Sequence, residues 1–159
     1  MIWLKAALHA DLPALETALK QAVERGRGDG GDVYLMYGTG CHPLLSTWVK
    51  EAGIRSAPVK NCIEAFCGER TAALEADRTM IMTPGWVRAW PGIMTALGWD
   101  EVDVRINLGR YDRILLFEPG LDPLSDEEII TFFDLVQVPI EVEPLDLDHF
   151  RKTVESMLR

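Results

Sequence analysis

Short apolar runs alternate with segments of helical periodicity along this chain, and this alternation restricts its fold more than any other feature. The runs have the length of buried strands, and the segments between them repeat apolar residues at about every third or fourth position. Strands and helices that alternate in this way form parallel sheets, which the connecting helices cover. We therefore predict an α/β fold, a three-layer α/β/α arrangement with a mostly parallel sheet of about five to six strands.

The boundaries of the predicted elements follow from residues that begin and end helices. Ser125 and Glu128 match a capping box, Asp11 and Asp146 are placed to cap two other helices, and the glycine-rich residues 25–32 predict a loop. Pro91 leaves open whether its segment forms one helix or a broken one. The strands are predicted at residues 2–7, 33–37, 54–59, 79–83, 113–117 and 138–142, and the helices at 12–23, 44–52, from 61 onward, 87–97, 125–136 and from 146 onward.

The length and composition are those of a chain with its own hydrophobic core. It has 159 residues, of which 48% are hydrophobic and 26% charged. A chain of this length forms one domain more often than two, and it buries enough surface to fold without disulfides. We therefore expect a single α/β domain over residues 1–159.

Charge is distributed unevenly along the chain. The formal net charge is −9; residues 1–80 carry nine basic against ten acidic residues, a net of −1, and residues 81–159 carry seven against fifteen, a net of −8. Acidic surfaces repel phosphate backbones and acidic lipids. We therefore expect neither nucleic acid nor a membrane as a partner.

No segment has the pattern of a membrane span or an export signal. The apolar runs are all shorter than the ~20 residues that a spanning helix needs, and the first residues lack the pattern of a signal peptide. We therefore expect a cytoplasmic protein. Its three cysteines are then expected to be thiols or thiolates and not disulfides.

The side chains with the richest chemistry come directly after the predicted strands. His9 follows the first strand, Cys41 the second and Cys62 the third, and Trp86 lies in the turn after the fourth. Ligands of open parallel sheets bind in the crevice beyond the carboxyl ends of the strands. We therefore expect His9, Cys41 and Cys62 to approach one another, with Trp86 as a wall of the same crevice.

Two thiolates and one imidazole form a ligand set for zinc or another thiophilic metal, and three protein ligands leave one position for a substrate. A second interpretation is a group-transfer enzyme in which Cys41 or Cys62 is a nucleophile activated by a helix N-terminus. A third is a non-catalytic interaction module, in which the cysteines lie in the core and exposed faces of Trp90 and Trp99 meet a partner. The sequence assigns no catalytic residue.

Three further residues and one turn have alternative interpretations. His42 adjoins Cys41 and is an alternative to His9 as the imidazole ligand. Cys67 is expected in the core, and His149 is expected on the surface. The turn at residues 38–40 is rich in glycine, but it has neither of the spacings of the known nucleotide-binding loops, which argues against a phosphate site.

At these same positions the chain resembles the family of bacterial and archaeal proteins named domain of unknown function 1638. Members of this family are often encoded near corrinoid-dependent methyltransferases. We expect Tyr37, Gly40 and Trp86 to contact a bound ligand. The resemblance implies an accessory role in one-carbon metabolism, with corrinoid or methyltransferase proteins as partners. It runs from about residue 5 to about residue 100 and rests on Ala7-Leu8-His9, Tyr37-Gly38-Thr39-Gly40-Cys41, Asn61-Cys62-Ile63 and Thr83-Pro84-Gly85-Trp86.

Overall fold

A computed structural model describes residues 1–5, 8–28 and 30–159, apart from the side chain of His9. The chain divides into two compact units: residues 1–68 with 148–159 form the first, and residues 69–147 form the second. A single domain over residues 1–159 stays a prediction. Within the described residues, none of the helices combines the length and the apolar character that crossing a bilayer requires.

Strands and helices alternate as the sequence predicts, and the strands pair in parallel. Within the described residues, the strands are β1 (Tyr34–Leu35), β2 (Arg55–Ser56), β3 (Thr79–Met82), β4 (Arg113–Glu118) and β5 (Ile140–Pro144). The α-helices are α1 (Leu12–Gly28), α2 (Leu45–Ala52), α3 (Cys62–Cys67), α4 (Arg70–Ala76), α5 (Pro84–Leu97), α6 (Glu101–Leu108), α7 (Asp126–Val136) and α8 (Asp148–Leu158), and two 3₁₀ turns cover Leu8–Ala10 and Thr39–Cys41.

Strand β1 is covered by helices on both of its faces. Tyr34 and Met36 pack on a cluster that includes Met157 of α8, whereas Leu35 and Tyr37 pack on a cluster that includes Leu15, Leu19 and Leu45 of α1 and α2. Successive side chains of a strand point to opposite faces, so this alternation gives each face its own core. The layering that the sequence predicts is present locally around this strand.

The end of α3 is fixed by a glycine against α8. Gly68 has φ 57° and ψ −134°, a conformation that is accessible almost only to glycine. A Cβ at this position would lie 2.8 Å from Cε1 of His149. His149 is exposed, as predicted, and the Phe66 ring stacks on Phe150 with centroids 4.8 Å apart.

The second unit is built on a three-stranded parallel sheet with β4 in the centre, between β3 and β5. Leu116 of β4 pairs with Met82 of β3 and with Val142 of β5. Residues 114–117 of β4 are all buried, because a central strand in a parallel sheet has both faces covered.

The prediction of one sheet with five to six strands is wrong for the described residues, where five strands form a two-stranded and a three-stranded sheet. Residues 2–5 of the predicted first strand are not in a strand, and residues 6 and 7 lie outside the described part of the chain. β1 and β2 are two residues long each. Their ladder pairs only Tyr34 with Arg55 and Leu35 with Ser56.

Two helices depart from the expected pattern, and a third decides between the alternatives that Pro91 leaves open. α6 was not predicted, because its apolar periodicity is weak; it begins at a capping box formed by Asp100 and Asp103. α1 extends to Gly28 and takes in part of the predicted loop. α5 continues through Pro91, which shows that packing overrides the loss of one helix hydrogen bond at the proline.

The predicted capping box at the start of α7 is confirmed and is extended by an arginine. Ser125 and Glu128 cap each other, and the Glu128 carboxylate also accepts a hydrogen bond from Nε of Arg88 at 2.7 Å. These contacts, with the Arg88 bond as the largest effect, lower the pKa of Glu128 from 4.5 to about 2. The carboxylate therefore stabilises the fold in its ionised form.

Between pH 7 and pH 3, we expect the free energy of unfolding to fall less in the Glu128→Gln variant than in the wild type. A carboxyl group with a depressed pKa stabilises the fold above its unfolded pKa of 4.5, and this contribution disappears as the pH falls towards 2. Glutamine keeps the capping geometry without the charge. Urea midpoints measured at pH 7 and pH 3 would test this, and equal pH dependence in both proteins would contradict it.

Candidate functional site

Two segments of the first unit are held together by backbone hydrogen bonds where β1 and β2 end. The N–H of Thr39 donates to the carbonyl oxygen of Val59 at 2.9 Å, and the N–H of Gly40 donates to that of Lys60 at 2.7 Å. The Cys41 thiol lies 4.0 Å from the same Lys60 oxygen. The turn that carries Cys41 therefore lies directly against the segment that leads into Cys62.

This close approach requires glycine at position 38 and leaves little room for a side chain at position 40. A Cβ at Gly38 would lie closer than 3.0 Å to the Lys60 carbonyl oxygen and to the backbone of Asn61, and a Cβ at Gly40 would lie 3.0 Å from the Lys60 oxygen. Gly38 itself has extended backbone, with φ −76°, so space and not torsion angle demands glycine there. The glycine-rich turn therefore serves backbone packing, a role that sequence reasoning missed.

Cys62 is the first residue of α3, and its position is fixed by the residue before it. The Asn61 side chain caps the helix by accepting a hydrogen bond from the N–H of Glu64 at 2.8 Å, and the Glu64 carboxylate accepts one from the N–H of Lys60. Cys62 is exposed and Cys41 is half-buried. The two thiols thus lie on adjoining segments, one of them open to solvent.

Electrostatic interactions link both thiols to Tyr37. Burial, and then the charges of the Cys41 and Cys62 thiolates, raise the pKa of Tyr37 to about 12. Burial also raises the pKa of Cys41, and the Cys62 thiolate raises it further, against a smaller opposing effect from a backbone hydrogen bond of Gly38. Negative charge on these three groups is therefore mutually unfavourable, and a bound cation would relieve it.

The remaining candidates of the first unit are placed differently. His42 is buried against Trp48, with ring centroids 4.2 Å apart, and its Nδ1 accepts a hydrogen bond from the N–H of Leu44 at 3.1 Å. That nitrogen is therefore occupied by the fold. Cys67 is only half-buried at the last position of α3, whereas the sequence predicts it in the core.

His9 and Trp86 complete the predicted set. The backbone of His9 forms part of the 3₁₀ turn Leu8–Ala10, but its side chain lies outside the described part of the chain. Trp86 lies in the first turn of α5, in the second unit, where it is half-buried. Trp90, expected to present an exposed face, is instead buried, with 4% of its surface accessible, because it faces Phe132 in the core of that unit.

No three His, Cys, Asp or Glu side chains of the described residues lie close enough together to hold a metal ion. Of the three predicted ligand side chains, the structure describes two, the thiols of Cys41 and Cys62. The third predicted ligand is the imidazole of His9, a side chain that lies outside the described part of the chain.

Comparison with known proteins places the chain in a family. The profile of the family described as protein of unknown function, DUF1638, matches residues 3–154, which extends the resemblance seen in the first hundred residues to nearly the whole chain. Searches among curated proteins and among solved structures found no match. Because the match covers far more than half of its length, the chain belongs to the DUF1638 family.

Proposed function

We propose that Cys41 and Cys62, together with His9, bind zinc or another thiophilic metal ion, and that the protein acts as an accessory factor in methyl transfer. The observation that carries this proposal is the packing of residues 38–41 on Lys60. This packing keeps two thiols of distant sequence position on adjoining segments. A close backbone contact that tolerates no side chain at Gly38 favours a fixed thiol pair.

The charges around the thiols support a cation as the ligand. After burial, the Cys62 thiolate opposes ionisation of Cys41, and both thiolates oppose ionisation of Tyr37. A divalent ion reverses this effect, because it stabilises thiolates and lowers their pKa. Thiolate sulfur and imidazole nitrogen are the donors that zinc prefers, and a site with three protein ligands keeps a fourth position for a substrate thiol or water.

A metal site is favoured over Cys41 as a nucleophile acting alone. A nucleophilic cysteine needs a depressed pKa, normally from a nearby cation or helix N-terminus. The pKa of Cys41 is raised, first by burial, which is the opposite of that requirement. A metal supplies the positive charge that the protein does not place there.

The family and the resemblance supply the rest of the proposal. Zinc held by cysteine and histidine activates thiols that accept methyl groups, so a metal–thiolate site is coherent with corrinoid or methyltransferase proteins as partners in the cytoplasm. In this proposal Tyr37 and Gly40 contact the ligand of the metal site.

The test is metal binding by the full chain, purified without a histidine tag. We expect about one equivalent of zinc per chain, and Co²⁺ substitution should give the thiolate-to-metal absorption that marks sulfur ligation. Cys41→Ser and Cys62→Ser should each reduce bound metal below ~0.2 equivalents, because a thiolate ligand is lost. His9→Ala should weaken binding while leaving a sulfur signature.

Cys67→Ser is the matched control, since it changes a third cysteine of the same unit and should leave both metal content and absorption unchanged. Circular dichroism would show that every variant is folded. The proposal is wrong if the wild-type protein holds no transition metal and takes up none from solution, or if Cys67→Ser and Cys41→Ser behave alike.

A further inference from the structure

The second unit contains a cleft that the thiol site does not use. It has a volume of about 770 Å³ and lies among α5, α6 and α7. This volume is in the range of sites that take ligands. Its floor is apolar and its rim is charged; the lining includes Val87, Trp90, Phe132, Glu127, Asp134 and Arg105.

The charges on the rim leave an excess of negative charge. Four carboxylates and two guanidinium groups line the cleft, a formal net of −2. Arg88 is paired with Glu128, and Arg105 with Glu101. Glu127 and Asp134 form no ion pair with any residue of the described chain, and both are exposed. The cleft therefore favours a cationic ligand.

A residue of the cleft floor carries an unused hydrogen-bond donor, which gives a second and independent indication of a ligand. Trp90 contributes to the floor and is 4% exposed, and among the described residues nothing accepts a hydrogen bond from its indole Nε1–H. A buried donor without an acceptor is unfavourable. An acceptor oxygen brought by a ligand would satisfy it, after a small adjustment of the side chains that cover the nitrogen.

Apolar side chains extend the surface beyond the cleft. Ile130 is 59% exposed and neighbours Glu127 and Asp134 on α7, three residues after the first and four before the second. On α6, Val102 is 60% exposed and neighbours Arg105. A ligand that covers both the acidic rim and these flanks must be longer than a small molecule. A second copy of this chain is a poor occupant, because its own net charge is −9.

We propose that this cleft docks a short basic segment of a partner protein. Lysine or arginine side chains of the segment pair with Glu127 and Asp134, and one of its backbone carbonyl groups accepts the hydrogen bond of the Trp90 indole N–H. Apolar residues between the basic ones cover Ile130 and Val102. The inference rests on residues of the second unit alone and is independent of the metal proposal.

Selection from a displayed library of random short peptides on the full chain tests this proposal. We expect the selected peptides to combine lysine or arginine with apolar residues. The double variant Glu127→Gln, Asp134→Asn should bind them about tenfold more weakly. Trp90→Phe, which keeps an aromatic side chain and removes the N–H donor, should weaken binding about fivefold to tenfold.

The matched control is Glu75→Gln with Asp77→Asn, which removes the same charge from exposed positions of α4 and its C-terminal end. We expect this control to bind as the wild type does, and circular dichroism would verify that each variant is folded. Selected peptides without basic residues, equal weakening by both double variants, or no enrichment at all would each overturn the proposal.

Discussion

Replacing Gly38 with alanine is expected to destabilise the first unit strongly and to separate the segments that carry Cys41 and Cys62. The new Cβ would lie closer than 3.0 Å to the Lys60 carbonyl oxygen and to the backbone of Asn61. Backbone atoms cannot rotate away as a flexible side chain can, so the two segments must separate. We expect a loss of about 3 kcal/mol or more, which corresponds to a fall in Tm of about 6 to 12 °C.

The control for Gly38→Ala is Gly31→Ala, in the loop before β1. A Cβ at Gly31 meets no atom within 4 Å, and the change should stay within about 0.5 kcal/mol. Thermal unfolding followed by circular dichroism measures both variants. The Gly38 variant should also bind less zinc than the wild type. If both variants unfold at the wild-type temperature, the contact between residues 38–41 and Lys60 is not present in solution.

The second large effect is expected at Phe117, in the centre of the three-stranded sheet. Its side chain is fully buried on β4, and the guanidinium group of Arg70 lies 5.4 Å from the centre of its ring. Phe117→Ala leaves a large cavity and removes this cation–π contact. We expect a loss of about 3 to 5 kcal/mol, measured from the urea midpoint and the slope of the unfolding transition.

Phe133→Ala is the matched control, because it removes the same side chain from an exposed position of α7. Phe133 is 41% exposed, so truncation should cost less than about 1 kcal/mol. A similar loss of stability in the two variants would contradict the burial of β4.

Much of the secondary structure follows from local chemistry and was predictable. The run at residues 113–117 is apolar throughout and becomes β4, since a strand buried on both faces needs a continuous apolar run. Ser125 and Glu128 determine the start of α7, because a capping box satisfies amide groups of its own first turn. α6 escaped prediction because one of its faces exposes Val102 and Ile106, which blurs its periodicity.

The candidate site was only partly predictable. The positions of Cys41 and Cys62 after two strands pointed to a shared neighbourhood, because parallel strands end at one edge of a sheet. Nothing in the sequence indicates that Lys60 contributes its carbonyl oxygen, or that the His42 imidazole packs on Trp48 and accepts a hydrogen bond from the N–H of Leu44. These contacts arise from tertiary packing, and the spacing of residues along the chain does not predict them.

The residues alone determined the alternation of strands and helices, the acidic character and the positions of the cysteines after two strands. These depend on propensity, periodicity and charge, which are properties of neighbouring positions. Tertiary packing decided that the strands form two sheets, that Gly38 must be glycine and that Trp90 is buried with an unused donor. Each of these depends on the distance between atoms far apart in sequence, and only the folded chain fixes that distance.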